Sequence, residues 1–93
     1  MDTILLNPED NVVVALREIT PGESVQAGSE EIRALDQIPS GHKIARFRIS
    51  AGEVIRKYGI PVGRAVSAIE KGAHAHVHNV KSIYMDNERD HHE

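Results

Sequence analysis

Three of the chain's six histidines stand at alternate positions in the run Gly72-Ala73-His74-Ala75-His76-Val77-His78-Asn79, separated only by alanine and valine. In an extended strand, alternation puts His74, His76 and His78 on one face and the small apolar residues on the other. Imidazole is commonly neutral near physiological pH, where its free nitrogen ligates a transition metal or accepts a proton. The run therefore points to metal binding or acid–base chemistry. Same-side neighbours on a strand lie about 6.6 to 7 Å apart, so an i, i+2 pair reaches one ion bound at about 2.0 to 2.1 Å per nitrogen. The first and third are roughly 13 Å apart on a straight strand, so all three need a bend, or a ligand must come from elsewhere. The alternative reading of the same spacing is a solvated polar face on an edge strand.

A second candidate is Gly41-His42-Lys43-Ile44-Ala45, at the start of a segment just after a turn. A histidine beside a lysine suits a carboxylate, with charge from the ammonium and a directed hydrogen bond from the ring. Arg56-Lys57-Tyr58-Gly59 and Arg64 are weaker signals, equally compatible with turn and surface roles. Gly-x-Gly-x-x-Gly, P-loop and Gly-x-Ser-x-Gly patterns are absent, and there is no cysteine. Thiolate zinc sites, disulfides and a cysteine nucleophile are thereby excluded.

These residues need a scaffold, and the composition bounds it. Ninety-three residues, 40% hydrophobic with three aromatics, make one small domain with an aliphatic core and a site that is shallow or shared. Eleven basic residues against fourteen acidic ones give a net charge of −3, which disfavours nucleic acid as a partner. Without a basic start, an apolar leader or a membrane-length apolar stretch, the expectation is a soluble cytoplasmic protein.

An Ile-x-x-Gly step recurs at Ile19, Ile38, Ile49 and Ile69, its glycines 19, 11 and 20 residues apart. These irregular spacings read as corners of a folded-over sheet rather than as a repeat. Between them lie β-branched segments at 3–6, 12–17, 42–49, 53–57, 62–68 and 73–84, which predict a mostly β domain over residues 1–85. Residues 29–35 suit either a short helix capped by Ser29 or a loop and strand. Residues 86–93 are wholly polar and are expected to be a mobile tail or to dock on a partner.

Taken together, His42-Lys43-Ile44-Ala45, Ile49-x-x-Gly52-Glu53, Lys57-Tyr58-Gly59 to Gly63-Arg64-Ala65, and Gly72-x-His74-x-His76-x-His78-Asn79 resemble the amino-terminal domain of the altronate and galactarate dehydratase family. The match runs from about Asn11 to Lys81. The resemblance implies a small β-clip domain of the SAF group with little helix. It further implies a lyase acting on a small anionic hydroxy acid, by dehydration of altronate-like sugar acids or by sulfite elimination from 3-sulfolactate. A divalent metal, iron(II) or manganese(II), would support the reaction. Carried over by motif, His76 and His78 are the catalytic candidates, His74, His76 and His78 the metal candidates, and His42, Lys43 and Asn79 the substrate contacts. The sequence lacks the large domain of fused family members, so the expected partner is a large catalytic subunit, as in two-subunit sulfolactate sulfo-lyases, with self-association also open. The competing reading is a non-catalytic module that binds a sugar acid or a metal.

Overall fold

The computed structural model describes residues 2–76 and 78–82. All nine regular elements among them are strands, as the composition predicts. They are β1 (Thr3–Ile4), β2 (Val12–Ala15), β3 (Ser24–Ala27), β4 (Glu30–Arg33), β5 (Lys43–Ala45), β6 (Val54–Lys57), β7 (Ile60–Ala65), β8 (His74–Ala75) and β9 (Val80–Ser82). They form three antiparallel sheets, β1-β2-β5-β8, β3-β4 and β6-β7-β9. No helix among the described residues is long and apolar enough to cross a membrane.

The Ile-x-x-Gly corners close on one another in pairs. Ile19 bridges Ile38, and Ile49 bridges Ile69. Each pair belongs to one copy of a duplicated unit, so the reading of the corners as punctuation gives way to an internal repeat. Alternate corners stand 30 and 31 residues apart, and matching hydrogen bonds recur at that offset. Gly22 N–H donates to Ala34 and Ala34 N–H to Glu23, as Gly52 does to Ala65 and Ala65 to Glu53. The Glu23 carboxylate accepts from Thr20 N–H, and that of Glu53 from Ser50 N–H. A register shift between Ile55 and Arg56 in the β6–β7 hairpin absorbs the additional residue of the second copy.

Each copy has its own core. Ala15, Ile19, Val25, Ala34, Ile38 and Ile44 lie in the first. Their counterparts Ala45, Ile49, Ile55, Ala65, Ile69 and Ala75 lie in the second. Seven isoleucines are essentially fully buried, each worth roughly 1.5 to 3 kcal/mol of transfer free energy. This supplies the aliphatic interior that the scarcity of aromatics required.

Residues 29–35 resolve as loop and strand, with β4 at Glu30–Arg33. The segment expected as one strand from 73 to 84 is two. β8 pairs with β5, the chain then turns at His78–Asn79, and β9 pairs with β7 in another sheet. Its end beyond Ser82, and the tail at 86–93, lie outside the described residues.

A candidate three-histidine centre

β5 and β8 are neighbours in one sheet, with Lys43 opposite Ala75 and Ile44 opposite His74. That register brings His42, immediately before β5, to the imidazoles of β8. The ligating nitrogens of His42, His74 and His76 all lie within 4.8 Å of one another. His42 Nδ1 and His74 Nε2 are 2.9 Å apart in a ring-to-ring hydrogen bond whose donor depends on the tautomers. The His42 and His76 rings stack at 4.0 Å between centroids, and His74 and His76 at 5.3 Å.

A bend after Ala75 and a ligand from another strand thus relieve the straight-strand separation. His42, expected as a substrate contact, belongs to the group able to hold an ion. His78 lies outside that group, exposed, with its ring 5.2 Å from that of His74. Asn79 uses both ends of its amide to shape the turn. Its Oδ1 accepts from His76 N–H at 2.9 Å, and its Nδ2 donates to the His74 carbonyl at 2.8 Å. This gives Asn79 a positioning role.

The His74 and His76 rings favour their neutral forms. Desolvation, followed by repulsion from His42, His78 and His76, pulls His74 down to about 4, with Asp36 opposing. His76 is lowered by desolvation first, then by His42, Lys43 and His78. Half-buried Lys43 is lowered by desolvation and by nearby Lys57. Neutral imidazoles keep a lone pair available for a metal. The three imidazoles offer nitrogen donors that all lie within 4.8 Å of one another. The donor set therefore fits a divalent first-row ion.

The run of residues 1–83 matches the family model described as the altronate/galactarate dehydratase SAF domain. The chain belongs to that family. It is 43% identical over 83 residues to an altronate dehydratase of Bacillus subtilis (strain 168), covering 89% of this chain and 17% of that protein. An altronate dehydratase of Escherichia coli (strain K12) is 34% identical over 86 residues, covering 92% of the chain and 17% of the relative. The (2R)-sulfolactate sulfo-lyase subunit alpha of Chromohalobacter salexigens is 33% identical over 89 residues, covering 88% of the chain and 95% of the subunit. The SAF domain thus spans about a sixth of the two dehydratases and nearly all of one sulfo-lyase subunit.

Two acidic residues that tie down loops of this SAF domain had no sequence signal. Asp36 Oδ2 accepts from His74 N–H at 2.9 Å, tying the histidine strand to the loop after β4. Asp10, 1% exposed, accepts from Tyr58 N–H at 2.9 Å and Gly59 N–H at 2.7 Å. Asx residues in loops are too common to have marked either one. Lys57 and Tyr58, quoted in the resemblance without a role, sit at this second contact.

Proposed function

We propose that this chain is the small subunit of a metal-dependent lyase that eliminates water or sulfite from an anionic hydroxy acid, in a site completed by a large catalytic subunit. The observation that carries the reading is the convergence of His42, His74 and His76 from two strands in a domain whose relatives are altronate dehydratases and sulfo-lyase alpha subunits. The name of the latter, a subunit, supports a partner.

In this reading His42, His74 and His76 hold an iron(II) or manganese(II) ion. When bound, the ion supplies Lewis acidity that stabilises the charge developing on a substrate carboxylate during α-proton loss. His78, exposed beside His74, has the room to accept that proton from a substrate presented at the rim. Lys43 binds the carboxylate, and Asn79 and Asp36 fix the loop carrying the rings. The shallow site on so small a domain suits a partner that covers it and excludes water.

The test is reconstitution. The full chain is mixed with a large subunit of the dehydratase or sulfo-lyase type, and elimination from altronate and from 3-sulfolactate is followed with manganese(II) or iron(II). Turnover should require both chains and fall to background with the double variant His74→Ala, His76→Ala. Full activity of the small chain alone, or of the mixture containing that variant, overturns the reading.

A further inference from the structure

The two copies of the repeat differ at positions that the histidine centre leaves unused. Val13 of β2 and Ala27 of β3 are both fully buried in the first core. Thirty residues on, the corresponding positions are Lys43 of β5 and Lys57 of β6. Ala45, two residues from Lys43 on the same strand, and Ala75, its register partner, both belong to the second core. Strand alternation therefore directs Lys43 to the side that Val13 occupies in the first copy. Positions that share one hydrophobic core in the first copy are occupied in the second by two lysines.

Ala45 on β5 and Ile55 on β6 both belong to the second core, and each stands two residues from one of the lysines, so strand alternation turns both lysines toward the same core. Both lysines are partly exposed. The salt bridges among the described residues engage Arg17, Arg46 and Arg48, and neither lysine. Lys57 is also held in place. The next two residues are clamped by the buried Asp10 carboxylate, Tyr58 adopts a φ of 61°, and the Lys57 ammonium lies 5.9 Å from the Tyr58 ring centroid. Non-glycine residues rarely adopt such a φ, and it persists only where the surroundings enforce it. Two like charges brought together without an acid are unfavourable unless an anion joins them.

We propose that Lys43 and Lys57 form a two-ammonium seat for the substrate carboxylate, with Lys57 a binding residue in its own right; the inference rests on the lyase-subunit reading above. A carboxylate has two oxygens, and each takes one ammonium. Lys43 follows His42, whose ring stacks on that of His76 at 4.0 Å between centroids. A carboxylate in the seat therefore leaves the hydroxylated carbons beside the imidazoles.

The test uses the full chain with lysine side-chain NMR, titrated with D-gluconate and with its neutral analogue D-gluconamide. Gluconate should shift both Lys43 and Lys57, and gluconamide neither. Lys57→Gln should weaken gluconate binding roughly tenfold, and Lys57→Arg should keep most of it. Unaltered gluconate affinity in Lys57→Gln, equal shifts from gluconamide, or a silent Lys57 overturns the seat. Manganese(II) broadening of the His74 and His76 ring signals reads the metal site separately. Its absence counts against the preceding reading, while the lysine shifts alone decide the seat.

Discussion

The Nδ1 of His42 and the Nε2 of His74, 32 residues apart in sequence, stand 2.9 Å from one another. That contact makes the three-histidine group one of two strands rather than of one run. His42→Ala and His74→Ala should each reduce manganese(II) or cobalt(II) affinity by more than the roughly 10- to 100-fold typical of losing an outer-shell partner. His78→Ala, outside the three-nitrogen group, should cost less. Calorimetric titration of the three variants provides the ranking, and a larger loss at His78 than at His42 would reassign the ligands.

The depressed proton affinity of His74, about 4 in the fold against 6.5 as the ordinary value, has a definite sign. Between those values the unfolded chain binds the proton and the folded chain does not. Protonation then favours unfolding, so this contribution to stability is complete above pH 6.5 and is lost as pH falls toward 4. The metal-free wild type should therefore lose more thermal stability over that interval than His74→Gln. Carboxylates titrating in the same range affect both proteins alike, so the difference between paired melting curves isolates the histidine.

Gly72 separates two reasons for glycine at a corner. Its φ is 90°, and an added Cβ would lie 2.0 Å from the Arg33 carbonyl oxygen, a backbone atom that cannot step aside. Gly52, its counterpart by position in the step, has a φ of 86° and open space around the same site. Gly52→Ala should cost about 1 to 3 kcal/mol from backbone strain alone. Gly72→Ala should exceed that and disturb the histidine strand it precedes. Urea denaturation of both variants measures the difference.

The β character, the corners and the gathering of His74 and His76 were legible in the sequence, because each is a local pattern of residue type and spacing. The duplication shows only between alternate corners, 30 and 31 residues apart, and not between successive ones. Its own drift, from Val13 and Ala27 to Lys43 and Lys57, obscured it further. The break of the 73–84 segment was illegible for another reason. Asn79, which makes the turn with its side chain, sits among residues that all tolerate strand. The entry of His42 into the three-histidine group depends on a strand pairing between distant segments, which no local spacing encodes.

Asp10 is the link between the scaffold and Lys57. Its carboxylate is buried and receives two backbone N–H groups from the turn after β6. Hydrogen bonds to a charged group contribute about 1.5 to 3 kcal/mol each. Neighbouring Asn11 adds Nδ2 to the Val54 carbonyl and accepts from Arg56 N–H, both at 2.9 Å. Asp10→Ala should therefore destabilise the fold by about 2 to 5 kcal/mol, because both N–H groups lose their acceptor. Asp10→Asn retains one oxygen and should cost less. In the folded fraction of Asp10→Ala, amide exchange should quicken at Tyr58 and Gly59 while the His42–His74 contact persists, since that contact belongs to the β5–β8 pairing. Equal quickening at both places would mean that the turn and the histidine centre open as one unit.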